Sequence, residues 1–202
     1  MWTWLLSADY TVFNWINGLA GRNQFADTIM RTFCNDHLVP FTLGFLVIVL
    51  ALHGRNRLQD RDNLAAVVKL VMTLAIATAI LQLIVVFVHR PRPFIDHEVT
   101  LLFYRPTDWS FPSNPATATF AFFFSVFFYD RRFSVWFLIP ALLMSFARVY
   151  CGVHYPGDVL AGILIAVASA YIVHRVDLIS RPFVAIVNSL ESRLRSAVSM
   201  RE

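Results

Sequence analysis

LAAVVKLVMTLAIATAILQLIVVFV, residues 64–88, is the stretch that decides the fold class. Its only charged residue is Lys69, close to one end. At 1.5 Å per residue such a helix is roughly 37 Å long, enough to cross a hydrocarbon core of about 30 Å. Lys69 sits where its aliphatic stem lets the ammonium reach the headgroups. Outward from this run lie four shorter apolar stretches, Leu38–His53, Ala116–Tyr129, Phe133–Val149 and Val159–Val173. Each is near the lower limit for a span, as suits a compact bundle that buries short helices against one another. The expected fold is all-α: a polytopic transmembrane helical bundle of five or six spans, forming a single membrane-embedded domain over residues 1–202.

The ends read differently. Phe13, Trp15, Ile16 and Leu19 give the first 36 residues an apolar face, while Asp9, Asn14, Asn17, Arg22 and Asn23 interrupt any clean span. With Trp2, Trp4 and Trp15 suited to the headgroup level, this segment is expected to form one or two interfacial helices. The N-terminus has no basic stretch ahead of its apolar residues and is expected to be retained. Residues 177–202 alternate Phe183, Val184, Ile186, Val187, Leu190 and Leu194 with Arg181, Arg193 and Arg195, the pattern of an amphipathic surface helix.

Composition agrees. Of 202 residues, 57% are hydrophobic and 15% charged, against about 25% charged in soluble domains. The net charge of +4 is carried by arginine, Lys69 being the only lysine. It is too small and scattered for nucleic-acid binding and fits loops facing anionic headgroups. Cys34 and Cys151 have no metal-ligand spacing and are expected to be free thiols, with no metal or other cofactor.

With five spans, the loops alternate sides. One side collects His53–Arg57, Arg61, Asp130–Arg132, Arg175 and the basic tail; the other collects His37, the loop 90–115 and residues 148–158. The first side's arginines resemble ordinary anchors. The positive-inside rule therefore puts them in the cytoplasm and the second side's polar cluster outside it.

That cluster comes from His89-Arg90-Pro91-Arg92-Pro93-Phe94, Phe111-Pro112-Ser113-Asn114-Pro115 and the run from Arg148 to Asp158. Arginines at a membrane edge are costly unless paired or functional. Arg92 and Arg148, brought to one face, can grip one phosphate through several charge-assisted bonds. Ser113 and the Asn114 backbone precede a helix, where N–H groups favour an anion. His154 and Asp158 are four residues apart, so on a helical turn the carboxylate can orient the imidazole and stabilise its cation. An imidazole held so can attack phosphorus.

The three segments resemble the motifs of the type 2 phosphatidic acid phosphatase family, relatives of the vanadium haloperoxidases: KxxxxxxRP, PSGH and SRxxxxxHxxxD. RPRPF with a histidine three residues on, FPS and HYPGDVLAG are most similar to bacterial undecaprenyl-diphosphatases of that family. The resemblance covers most of the chain. It implies a lipid-phosphate phosphatase needing no metal, in the bacterial cytoplasmic membrane with its site facing outward. Arg92, Ser113, Asn114 and Arg148 then bind phosphate, His154 is the nucleophile through a phosphohistidine, and Asp158 orients it. The implied substrate is a phosphorylated isoprenoid or glycerolipid, met in the bilayer.

Three departures from the pattern matter. Val85 stands at the motif lysine, and Arg90 is expected to supply the missing charge at the phosphate. Ala147 stands at the motif serine. Pro115 stands at the histidine that protonates the leaving group. A lipid monophosphate leaves as an alkoxide and needs that proton, whereas a diphosphate expels a phosphate ester with a second pKa of about 6. The reading is therefore undecaprenyl diphosphate cleaved to the monophosphate. His89 and His97 are candidates to activate water. Two alternatives stand beside it: an impaired relative that binds or transports phosphorylated lipids, and a phosphatidic acid or phosphatidylglycerophosphate phosphatase.

Overall fold

The computed structural model describes residues 2–52 and 57–175, with Pro182, residues 184–186 and Ser189. The expected surface helix over 177–202 and the loop 53–56 lie largely or wholly outside the described residues. Within them the regular structure is all helical, without strands: α1 Trp2–Asn17, α2 Gln24–Cys34, α3 Leu38–Leu52, α4 Arg57–Phe87, α5 Pro93–Asp96, α6 Asn114–Tyr129, α7 Val135–Tyr150 and α8 Pro156–Arg175.

The five apolar runs become α3, α4, α6, α7 and α8. By length and hydropathy, Asn63–Phe87 of α4 and Pro156–Arg175 of α8 can each cross a membrane. α2 and α3 together pass the same test as a pair bent by 57°. α6 and α7, at 16 residues each, are roughly 24 Å long. The polar residues Asn35-Asp36-His37 stand at the bend between α2 and α3.

α6 is the central element, packed against α8, α4 and α7, while α3 covers α4 and α7. The core joins Leu43 of α3, Leu70 and Ala77 of α4, Phe120 and Ala121 of α6, Phe137 and Met144 of α7, and Ala166 of α8. At one end, Tyr129 donates to Asn63 (2.5 Å) and Ser125 meets the His174 ring (3.2 Å), which ties the start of α4 to the ends of α6 and α8. The opposite end gathers the ends of α4 and α7 and the starts of α6 and α8, where the motif residues lie.

The first 36 residues form α1 and α2, which lie on this second end against α7, with α1 also touching α8. Their polar residues are anchors. Asn17 is buried, donates to Thr100 O (2.9 Å) and Tyr150 O (2.8 Å), and accepts from Thr100 N (3.0 Å). Asp27 accepts from the Tyr150 hydroxyl at 2.8 Å. Cys34 and Cys151, free thiols far apart in sequence, share one buried cluster with Ala147 and Tyr150.

Candidate active site

Four backbone features set the site. Ser113 caps α6 in an extended conformation, with proline in the helix's first turn. Proline is tolerated there because those N–H groups have no intrahelical acceptor. The Ser113 N–H donates to Asp158 O at 3.0 Å, locking the start of α6 to the first turn of α8. α7 ends at Tyr150, and Gly152 follows at φ 81°, a left-handed turn that swings Val153 and His154 back across the site. A side chain there would also meet Thr100 O at 3.1 Å and Asn17 Nδ2 at 3.2 Å.

His154 is 1% exposed. Its Nδ1 faces the Ser110 carbonyl at 2.9 Å, and its Nε2 faces Arg92 Nη1 at 3.2 Å. A carbonyl only accepts and a guanidinium only donates. Both contacts therefore select one tautomer, with the proton on Nδ1 and a lone pair on Nε2. Burial holds the imidazole below its ordinary pKa; the Asp158 contact opposes this, and the Arg92 and Arg148 charges reinforce it. The ring is thus a neutral base with its nucleophilic nitrogen directed at a cation.

Asp158, fully buried, stands behind the ring. Its Oδ2 lies 3.7 Å from Nδ1 and accepts from the Ser110 hydroxyl (2.5 Å) and Tyr155 N (2.8 Å). The sequence predicts a direct His154–Asp158 contact. The structure keeps that pair at 3.7 Å and adds Ser110, whose carbonyl holds the imidazole and whose hydroxyl holds the carboxylate. Ser110 escapes sequence reading because it lies outside the recognised motif, three residues before Ser113.

The predicted phosphate ligands are brought to the same end. Arg92 is 5% exposed and donates to Asp108 O (2.9 Å), Asp108 Oδ1 (2.8 Å) and Val153 O (2.8 Å). Arg148, 2% exposed, pairs with Asp36 and lies 5.0 Å from the Phe103 ring centroid. Tyr104 also donates to Asp36 at 2.7 Å, a bond that raises the phenol's pKa. Each arginine thus holds a partly or largely exposed carboxylate that another anion can replace. Three buried side-chain atoms among the described residues lack partners, and two of them are Ser113 Oγ and Arg148 Nε. Leaving a buried donor unpaired costs about 1–3 kcal/mol. Both belong to residues that the sequence assigns to phosphate. Asn114 is exposed at the start of α6.

Arg90 departs from expectation. Rather than joining Arg92 and Arg148, it donates Nη1 to Asp158 Oδ1 (2.7 Å) and Nη2 to Asp9 Oδ2 (2.6 Å), with its guanidinium stacked 3.9 Å over Tyr155. Neither candidate histidine touches His154: His97 stacks on Tyr10 at 3.9 Å and His89 tilts against Trp109 at 4.9 Å. Pro115 is half-buried and its carbonyl accepts from the Thr119 hydroxyl. Val85 is half-buried on α4, and Ala147 is fully buried. Among the described residues, no three His, Cys, Asp or Glu side chains group to hold a metal ion.

Gly162 of α8 fixes how closely α6 approaches. A Cβ there would lie 2.8 Å from Ser113 O and 2.9 Å from Thr117 Oγ1. Gly162→Ala is expected to destabilise the fold by about 1–3 kcal/mol, as overpacking does. Because it also pushes Ser113 off its position, activity is expected to fall about 10²-fold. Thermal unfolding in detergent checks the first effect and a turnover assay the second; wild-type values in both would show that the contact is easily relieved.

The PAP2 superfamily profile matches residues 66–181. Undecaprenyl-diphosphatase BcrC of Bacillus subtilis is 31% identical over 180 residues, 89% of each chain. The crystal structure of Aquifex aeolicus LpxE superposes with a TM-score of 0.66 at 26% identity, covering 82% of this chain and 94% of that one. A transmembrane PAP2-type phosphatidylglycerolphosphate phosphatase from Bacillus subtilis shares the fold, with a TM-score of 0.60 at 22% identity and 86% coverage of each chain.

Proposed function

The chain belongs to the PAP2 superfamily, and from that premise we propose that it hydrolyses undecaprenyl diphosphate to the monophosphate and inorganic phosphate without a metal. The observation that carries the reading is the pair of buried, unpartnered donors, Ser113 Oγ and Arg148 Nε, in a site with the unprotonated Nε2 of His154. The relative named undecaprenyl-diphosphatase, matched along 89% of the chain, supports the choice of lipid.

The terminal phosphoryl group enters against Arg92, Arg148, Ser113 and the first N–H groups of α6, displacing Asp108 and Asp36 from the arginines. Arg92 passes its N–H from Nε2 to a phosphate oxygen and so uncovers the lone pair. Nε2 attacks the terminal phosphorus, and the bond to the bridging oxygen breaks with its electron pair staying on the lipid monophosphate. Water then attacks the phosphohistidine, and inorganic phosphate leaves with the imidazole restored. Asp158 and the Ser110 carbonyl stabilise the cationic ring between the two steps. The site faces the extracytoplasmic side of the bacterial cytoplasmic membrane, because Arg131, Arg132 and Arg175 mark the opposite end.

The test is phosphate release from undecaprenyl diphosphate by the full chain in detergent with excess chelator. Multiple turnovers, unchanged by the chelator, are expected. Binding of the lipid without release would favour the second reading, a lipid-phosphate binder or transporter. Pro115 is the observation behind that reading.

A further inference from the structure

Asp9 and Arg90 are left over by the mechanism, yet they form a continuous charged chain into its centre. Arg90 bridges Asp158 (2.7 Å) and Asp9 (2.6 Å). Asp9 is held in turn by the Gly157 N–H at 2.7 Å, in the turn of α8 next to Asp158. Gly157 makes room for it, since a Cβ there would lie 2.9 Å from the Asp9 carboxylate. Three segments distant in sequence therefore meet at one guanidinium: α1, the stretch just after α4 and the start of α8.

The charges explain what the chain does. Asp158 is fully buried and His154 must be neutral to attack, so the imidazole cannot balance the carboxylate before reaction. A buried carboxylate is costly unless a cation pairs with it. Arg90 supplies that cation and fixes the carboxylate by the Nη1 bond to Asp158 Oδ1. An Arg90–Asp158 pair alone, however, would be neutral and would offer the ring no net field. Asp9 balances Arg90 and leaves one net negative charge on the Nδ1 side of His154, opposite the positive Arg92 on the Nε2 side.

We propose that Asp9 and Arg90 are positioning residues for the reaction, acting through Asp158 to stabilise His154 as it becomes a covalently substituted cation. This rests on His154 being the nucleophile of the proposed function. It makes α1 part of the catalytic apparatus, with no role in gripping phosphate.

The experiment compares two probes, inorganic phosphate and orthovanadate, binding to the full chain in detergent. Phosphate reports the arginine grip. Vanadate, which can accept a bond from an imidazole, reports the cationic transition state as well. Asp9→Asn and Arg90→Gln are each expected to weaken vanadate binding about tenfold and to leave phosphate affinity within about twofold. In turnover they should lower kcat about tenfold with KM unchanged. Arg90→Lys, which keeps the charge but not the two-pronged geometry, should recover part of the loss. Because Asp9 works through Arg90, the double variant should be no worse than Arg90→Gln alone. Equal weakening of both probes, or of neither, would overturn the proposal, as would a wild-type chain that binds neither. If the wild type binds vanadate with this dependence yet releases no phosphate from undecaprenyl diphosphate, the substrate reading fails and the positioning role stands.

Discussion

His154→Ala is expected to reduce phosphate release by about 10⁴-fold or more, the scale on which nucleophile removal is felt. The size follows from how much of the site converges on one atom. Nε2 is the ring nitrogen without a proton, because Nδ1 already donates to the Ser110 carbonyl. Asp158 and Arg92 can hold and polarise, but neither presents a lone pair on a neutral nitrogen. The variant should still bind inorganic phosphate, since Arg92, Arg148 and Ser113 are intact. Retained binding with abolished turnover is therefore the signature; loss of both would mean that His154 supports the fold instead.

The same nitrogen dictates the pH profile. In the proposed reaction, attack needs the neutral imidazole, and burial holds His154 below its ordinary value of 6.5. The active form thus predominates at pH 7, and the rate falls only as acid protonates the ring. In the wild type, the acidic limb of kcat/KM is expected below about 6.5. An acidic limb above that value would show a ring more solvated or more strongly paired with Asp158 than the geometry allows.

Much of this was legible because it is local. The run 64–88 reads as a span on apolar length alone, and it became the apolar part of α4. Arg148, His154 and Asp158 are recognisable from spacing within 11 residues that fold as a helix end, a tight turn and a helix start. What sequence could not supply was pairing across distance. A buried guanidinium demands an anion, but nothing in the spacing says that Arg148 takes Asp36, 112 residues away, or that Arg90 takes Asp9 at 81. Arg90 illustrates the cost. Adjacent to Arg92 but for one proline, it reads as a second phosphate ligand, yet the two guanidiniums serve different carboxylates, Arg90 those of Asp158 and Asp9 and Arg92 that of Asp108. The N-terminal segment shows the converse. Asp9 and Asn17 argue against a span, but they are polar because α1 must bond to the loops around the site. Only the folded partners reveal that purpose.

Pro115→His should raise lipid monophosphate hydrolysis by about 10²–10⁴-fold, the usual worth of a placed general acid, while changing diphosphate hydrolysis little. The contrast comes from the leaving groups. Breaking a monophosphate ester expels an alkoxide, far more basic than water can accommodate at neutral pH without a proton donor. Breaking the diphosphate expels a phosphate ester whose second pKa of about 6 lets it depart as the anion. On the proposed reading, Pro115 withdraws help that one substrate needs and the other does not, which would make the proline itself a specificity element. The backbone should accept the change. Pro115 lies in the first turn of α6, where its missing N–H is not required, and its carbonyl bond to Thr119 does not depend on the side chain. Side-by-side rates on undecaprenyl monophosphate and diphosphate, for wild type and variant, decide the matter. A wild type already faster on the monophosphate would remove the leaving-group argument, because some other donor would then be supplying the proton. A variant that gains monophosphate activity and keeps its diphosphate rate would show that the phosphate grip and the nucleophile are complete, and that the substrate range is set by the one proton this sequence omits.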